Sequence, residues 1–359
     1  MERSIIDCHF HLCATRYMSR LRNVDDTLAV LRGCGLRAIC VQNIVLWFPE
    51  HLTRNPLSLL AKLRAPDRVF AFGGIRYPAP DAPDKHFDYR AQAGELMALG
   101  FDGIKLFGKP TIRQAFGMPF DADVFDELFA YLEERQIPVL YHVGDPREFW
   151  SAETAPPFAR ENGWIYDDPP FDQYYDEIDG LLTKFPRLRV LFPHFFFLSD
   201  DLPRLARFLE KWPNVWLDIT PGTEMYYNFS QNPAAAREFF LRFQDRILWG
   251  TDNVGVGGAP IDPVGESAGR LDTMWEFLTG ETASGWGGTL RGLSLPEPVV
   301  EKVCRRNFYR FVGRETPAPV DAAAAASYAR RMGALAREAG DARLDAAFDE
   351  LLAAYQSIG

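Results

Sequence analysis

Two histidines stand two residues apart in the segment Ser4-Ile5-Ile6-Asp7-Cys8-His9-Phe10-His11, and an aspartate precedes the first by two. Side chains alternate between the faces of a strand, so Asp7, His9 and His11 are expected on one face, and Cys8, Phe10 and Leu12 on the other. Two imidazoles along one face of a rigid strand are a preformed half of a transition-metal site. Other polar residues lie in or close later apolar runs. Lys105 lies in Gly103-Ile104-Lys105-Leu106-Phe107, and His142 follows Val139-Leu140-Tyr141. His194 follows Leu191-Phe192-Pro193, and Asp252 follows Trp249-Gly250-Thr251. His51 and His86 fall in loop or helix regions and carry no expected chemistry.

The elements that must carry these residues alternate along the chain. Strands are expected at residues 5–11, 38–44, 69–75, 103–107, 138–142, 188–194, 215–219 and 247–252. Helix patterns with start signals lie between them: Asp25-Asp26 before 27–32, Asp121 before 124–135, Asp200-Asp201 before 202–211, and Pro233 before 234–243. Runs such as Val139-Leu140-Tyr141 and Val190-Leu191-Phe192 fit a parallel sheet buried on both faces. Eight such repeats predict an α/β protein, a (β/α)8 barrel spanning 1–315. No glycine-rich turn follows the first strand, which disfavours a dinucleotide-binding sheet. The long connections all follow strands and the short ones precede them, as in a barrel with its site on one face. In residues 316–359 Pro317 and Pro319 break the chain and Asp321 is a helix start signal, which predicts a helical extension packing on the barrel or, in a homodimer, on a second subunit.

Composition narrows the function classes. The 359 residues are 47% hydrophobic and 25% charged, an ordinary globular mixture. A net charge of -10 argues against nucleic acid or an anionic membrane as partner. No run reaches the roughly 18 apolar residues of a membrane span, and no secretory segment opens the chain. Cys8, Cys13, Cys34, Cys40 and Cys304 form no CxxC pair, so reduced thiols and a cytoplasmic location are expected. Neither Cys8 nor Cys13 is expected as a ligand, since alternation turns Cys8 away from His9.

His-x-His followed in order by strand-terminal His, His and Asp resembles the amidohydrolase superfamily, in particular its amidohydrolase-2 branch of hydrolases, decarboxylases and hydratases. The resemblance covers residues 5–253. It implies that His9, His11 and His142 bind one divalent metal ion with Asp252 as a further ligand. Zinc is the default, with Mn, Fe and Co also suited to three imidazoles and a carboxylate. It implies that His194 lies over the metal as a polarising or proton-transferring group, and that Asp252 also shuttles protons as a catalytic base. Asp7, deeper on the strand, is expected to orient a ligand histidine. Lys105 either lines the pocket unmodified or is carboxylated and bridges two metals, as in binuclear members. Some decarboxylases of the branch carry Glu where this chain has Asp7.

Substrate-binding candidates are Lys105, Arg147 and Glu224. Arg147 is a carboxylate clamp or a surface ion pair, and Glu224 reaches the mouth or caps a turn. Trp150, Trp164, Tyr166, Tyr174, Tyr175, Tyr226, Tyr227 and the run Phe195-Phe196-Phe197 fit either a pocket for a flat small-molecule substrate or loop packing. The leading expectation is a hydrolase of a lactone, ester or amide, in which a bound cation lowers the pKa of its water. The alternative is a lyase that decarboxylates or hydrates an aromatic or unsaturated acid. A non-catalytic structural zinc site is disfavoured, because such sites close all four positions.

Overall fold

The computed structural model describes residues 3–12, 20–253 and 262–358; Cys13 and Gly359 lie outside them. Eight parallel strands, β1 (Ile6–Phe10), β2 (Ala38–Gln42), β3 (Val69–Gly74), β4 (Gly103–Gly108), β5 (Val139–Val143), β6 (Val190–Phe192), β7 (Val215–Asp218) and β8 (Ile247–Leu248), pair in sequence order. The Cys8 N–H donates to Trp249 O at 2.9 Å and the Asp252 N–H to His9 O at 2.8 Å, which joins the last strand to the first. A parallel bridge from Phe10 to Asn253 completes the closure. The fold is the (β/α)8 barrel that the alternation predicts.

Two apolar layers hold it. Ile6, Cys8, Cys40, Phe70, Phe72, Leu140, Leu191 and Leu248 fill the barrel interior. Phe10, Leu12, Val41, Ala71, Ile104 and Val139 belong to the layer between strands and helices. The strict alternation expected for β1 therefore fails: Cys8 shares the interior with Ile6, while His9 also faces the site. The β1–β2 register shifts between Asp7 and Phe10, and this irregularity lets neighbouring Cys8 and His9 both turn inward.

Helices return along the outside. Asp201 caps Leu202–Lys211 through its side chain, and Asp321 caps Ala322–Arg337 in the same way. The first helix differs from expectation. It spans Leu21–Gly33, starting before Asp25-Asp26, because the Arg20 N–H finds the Asn23 side chain at 2.7 Å. β6 and β8 are also shorter than expected, since the chain leaves the ladder before His194 and Asp252.

The end of the barrel opposite the strand termini is plugged by the helix Asn307–Val312. Its Phe308 ring meets Phe70 at 4.9 Å and Phe311 meets Phe72 at 6.2 Å between centroids. The helices Ala322–Arg337 and Ala342–Gln356 pack on the barrel exterior over Arg54–Arg64. Asn55 Nδ2 donates to Tyr328 Oη at 3.2 Å, and Tyr355 Oη donates to Pro56 O at 2.6 Å. Among the described residues no helix is long and apolar enough to cross a membrane.

Phe311 is 1% exposed and fills the barrel floor, so Phe311→Ala leaves a cavity that neighbouring strands cannot close. We expect a loss of about 3–5 kcal/mol of unfolding free energy. Urea denaturation measures it, and a change below about 1 kcal/mol rejects the plug as a stabilising element.

Candidate metal centre and pocket

Three acceptor atoms converge where β1 meets the end of β8. His9 Nε2 lies 3.2 Å from His11 Nε2, and Asp252 Oδ1 lies 3.6 Å and 3.2 Å from the two. The other nitrogen of each ring fixes its tautomer. His11 Nδ1 is 2.7 Å from the Gln42 carbonyl, which can only accept, so Nδ1 carries the proton. His9 Nδ1 is 3.0 Å from Asp218 Oδ2 and donates to it. Both Nε2 atoms are left as lone pairs pointed at each other and at a carboxylate. Burial pushes His9 well below the usual histidine range and keeps it neutral. Burial opposes ionisation of Asp252, yet the adjacent His11, His9 and His194 rings hold it well below the usual carboxylate range. Neutral imidazoles beside an ionised carboxylate are the protonation states that a divalent cation requires. The donor set fits a metal ion, and among the described residues His9, His11 and Asp252 form the group able to hold one.

The expected fourth ligand stands apart. His142 lies on β5 with its ring 5.0 Å from that of His194, which in turn is 5.5 Å from His9. His142 Nε2 is buried without a hydrogen-bond partner, 3.8 Å from Asp145 Oδ1. His194 thus sits between the trio and His142. Its Nδ1 is 3.3 Å from the Thr220 carbonyl, and burial lowers its pKa to about 4.

The carboxylate that contacts a ring of the trio is Asp218, not Asp7 as expected. Asp218 Oδ1 accepts the N–H groups of His194 at 2.9 Å and Thr220 at 3.0 Å while Oδ2 takes the His9 ring. One side chain at the end of β7 therefore sets both His9 and His194. Asp7 instead accepts from the His9 N–H at 3.1 Å, the Thr251 N–H at 3.0 Å and the Thr251 hydroxyl. It holds the backbone of β1 to the end of β8, and burial raises its pKa to about 7. The signal for Asp218 was present as a charged residue ending the apolar run Val215-Trp216-Leu217.

Two left-handed turns aim the site. His194, Phe195, Phe196 and Phe197 have φ between 52° and 56°, and Asp252 has φ 49°. Such residues cost roughly 1–2 kcal/mol each. Fully buried Phe195 and Phe196 offset this by packing on Phe240 and Phe192, and Tyr175 Oη donates to Phe196 O at 3.0 Å. Phe197 stacks on the His194 ring at 5.1 Å.

A pocket of about 510 Å3 opens over His142, His194 and Asp252. Phe149, Phe158, Trp164, Phe197, Tyr226, Tyr227 and Trp286 wall it, with Lys109, Asp145 and Arg270 as charged lining. Of the aromatic candidates, Trp150, Tyr166, Tyr174 and Tyr175 pack in the protein body, whereas Trp164, Tyr226 and Tyr227 face the pocket. Trp286 comes from the turn of a hairpin, Thr282–Gly285 with Gly288–Arg291, whose signal is Gly285-Trp286-Gly287-Gly288. Lys109 Nζ lies 3.2 Å from the Trp164 ring centroid and 3.4 Å from Asp145 Oδ2. Arg270 Nη1 donates to Thr251 O at 2.7 Å, directly beside Asp252. Neither cation stood out in the sequence.

Lys105 is fully buried on β4, within the electrostatic reach of His9, His142 and His194. Arg147 pairs with Asp200 at 3.0 Å on the surface, over the Phe171 ring, and does not line the pocket. Glu224 lies against pocket-lining Gly222, with Oε1 buried and unpartnered. Burial, with Glu148 and Asp145 nearby, raises its pKa to about 8.

His9→Ala removes a converging donor and abolishes stoichiometric metal, while Asp218→Asn weakens metal binding roughly 10–100-fold. Elemental analysis and chelator competition read both, and full occupancy in His9→Ala rejects the site. Glu224, raised from 4.5 to about 8, binds its proton more tightly folded than unfolded. Its stabilising protonation is complete below the unfolded value and is lost as pH rises to about 8. Stability should fall over that window by at most about 1.4 kcal/mol per pH unit, and Glu224→Gln should remove that slope. An unchanged slope in denaturant titrations rejects the assignment.

Comparison with known proteins agrees with the fold. No curated protein matches this chain in sequence. Among solved structures, an IDCase from Metarhizium anisopliae matches with 14% identity and a TM-score of 0.55 over 86% of this chain and 97% of its own. The 4-oxalomesaconate hydratase of Rhodopseudomonas palustris matches with 14% identity and a TM-score of 0.52, over 86% and 96%. The 2,6-dihydroxybenzoate decarboxylase of Rhizobium matches with 14% identity and a TM-score of 0.51, over 87% and 99%. Identities this low establish the shared barrel alone. The family model described as amidohydrolase matches residues 6–314, so the chain belongs to the amidohydrolase-2 family.

Proposed function

We propose that this protein is a metal-dependent lyase that decarboxylates a small aromatic or conjugated carboxylic acid. The observation that carries this reading is the pocket itself: seven aromatic side chains wall it, and Lys109 and Arg270 supply positive charge beside the floor of His142, His194 and Asp252. Aromatic walls take a flat ring, and a guanidinium fixed to the backbone beside Asp252 suits a carboxylate. The decarboxylase and hydratase neighbours act on acids of this general kind and support the reading.

The residues divide the work by chemistry. His9, His11 and Asp252 would hold a divalent ion, with His142 nearby; zinc and manganese both suit these donors. When bound, the ion supplies Lewis-acid polarisation of substrate oxygens. Arg270 binds and orients the carboxylate, Lys109 adds positive field, and the aromatic walls exclude water from the ring. In the reaction the bond between ring carbon and carboxyl breaks, CO2 leaves, and the ring carbon gains one proton. His194 is neutral at pH 7 and its Nδ1 is engaged by Thr220 O, so Nε2 is the atom that takes this proton from solvent water and passes it to the ring carbon. Asp252, ionised and half-buried at the pocket floor, is the second proton carrier.

Hydrolysis of a lactone, ester or amide is the second reading. The ionised Asp252 carboxylate favours it, because a base at the pocket floor can equally take a proton from an attacking water.

A panel of aromatic acids, lactones and esters assayed in 18O-labelled water separates the two. Release of CO2 with no label in the organic product is the expected result; label incorporation without CO2 overturns the lyase reading. Asp252→Asn should lower turnover by about 10³-fold or more while leaving the melting temperature within a few degrees, because it removes both an ion donor and a proton carrier. Near-normal kcat in that variant rejects both roles.

A further inference from the structure

The face of the barrel opposite the pocket carries a concentration of positive charge that the chemistry above does not use. A hollow of about 700 Å3 there is lined by Arg37, Arg305, Arg306, Arg310, Arg314 and Tyr309, together with Gly313 and Glu315. Arg37 precedes β2, and the others lie in or just after the helical segments that plug the barrel floor. A second hollow of about 520 Å3 shares Arg37, Tyr309 and Glu315 and adds Arg68, Asp67 and Arg3, the last already paired with Asp272. Both lie on a chain whose net charge is -10, so the local sign runs against that of the molecule.

Local carboxylates neutralise the cluster only in part. Arg305 and Arg306 share Glu301, at 2.5 Å and 2.8 Å. Arg310 and Lys302 share Asp245, at 2.7 Å and 2.9 Å. Two carboxylates thus serve four cations, and Glu315, which lines both hollows, is a third negative charge set against the five arginines of the larger one. Arg314 comes no closer than 4.0 Å to Asp102, whose oxygens already take Lys62 and the N–H groups of Ala71 and Ala318. Arg37 Nε donates to Tyr309 Oη at 3.3 Å, and no carboxylate among the described residues pairs with it. Guanidinium does not deprotonate in proteins, so this repulsion cannot be relieved by titration. It can be relieved by a bound anion. Every cation lining the larger hollow is arginine and none is lysine, which favours a planar, bidentate partner such as phosphate.

We propose that this hollow binds a compact anion bearing two or more phosphate groups. Its volume exceeds the space of a single phosphate, and the Tyr309 ring beside Arg37 offers an apolar edge to whatever the phosphates carry. The site stands on the helix whose Phe308 and Phe311 fill the barrel floor, so an occupant would brace that plug. The inference is independent of the reaction at the mouth.

Isothermal titration of the metal-loaded protein with pyrophosphate, and separately with ADP, tests it. The expected result is saturable 1:1 binding that weakens with added salt. Arg37→Gln and Arg314→Gln should each weaken it roughly tenfold. Lys109→Gln, at the opposite mouth, serves as the control and should leave it unchanged. Tighter binding of ADP than of pyrophosphate would assign the ligand to nucleotides, and equal binding would assign recognition to the phosphates alone; both support the site. Absence of saturable binding overturns the proposal. So does unchanged affinity in Arg37→Gln/Arg314→Gln, or loss confined to Lys109→Gln. If the double variant fails to fold, Arg306→Gln and Arg310→Gln, whose side chains are 61% and 57% exposed, replace it with the same expectation.

Discussion

Three acceptor atoms facing one another with no proton to share are the constraint around which this barrel is arranged. Two imidazole lone pairs and a carboxylate oxygen within 3.6 Å repel unless a cation or added protons lie between them. The protein enforces this contact through bonds made elsewhere. The Gln42 carbonyl and the Asp218 carboxylate dictate which nitrogen of each histidine bears hydrogen. The same closure that joins β8 to β1 brings Asp252 against His9, since the Asp252 N–H donates to the His9 carbonyl at 2.8 Å. Gly250 permits this approach: a Cβ there would lie 2.4 Å from Thr220 Oγ1 and 2.8 Å from His9 Cβ. Barrel closure and ion site are therefore one structural event.

The strain at the strand ends follows from the same demand. A strand that ran on through His194 or Asp252 would continue alternating its side chains between interior and exterior. Turning left-handed at those residues instead lifts their side chains over the barrel mouth. Four consecutive left-handed residues are tolerated because Phe195 and Phe196 are driven into the helix layer, where aromatic rings meet them. The Phe-Phe-Phe run is thus mainly an anchor for His194, and only its last member faces the pocket. Local backbone cost is balanced by burial a few ångströms away.

These details explain what the sequence made legible. Eight alternating elements were readable because apolar runs and cap signals repeat, and each of those signals is local. His9, His11 and Asp252 were readable as a group because strand-end polar residues in a barrel share one mouth. The face of Cys8 was not readable, because a register shift is a property of the β1–β2 pair and not of β1 alone. Asp218 carried the same strand-end signal as the histidines, yet its role depends on contacts with residues 209 and 24 positions away. Lys109, Arg270 and Trp286 reach the pocket from loops, a helix and a hairpin turn, where no periodicity marks a residue as facing inward. Arg147 illustrates the converse, a basic residue just after a strand that finds Asp200 on the surface.

The floor of the pocket and its walls carry different kinds of information. Under the proposed function His9, His11 and Asp252 would hold the ion, and His194 and Asp252 would move protons, whatever lies above them. The walls decide which atom receives the proton. Arg270 is tied to the carbonyl of Thr251, one residue before Asp252, so an anionic group bound to it lies along the edge of the floor and not far out in the mouth. Under the proposed function, a substrate held there by its carboxylate would present the adjoining carbon to His194 and Asp252. An ester or lactone has no charge for Arg270 to hold and would leave that guanidinium facing the pocket without an anionic partner. Lys109 is different, since Asp145 and the Trp164 face already surround its ammonium, and it contributes field more than a dedicated contact. The fixed guanidinium, more than the metal donors common to both readings, is what supports the proposal of an acid as substrate.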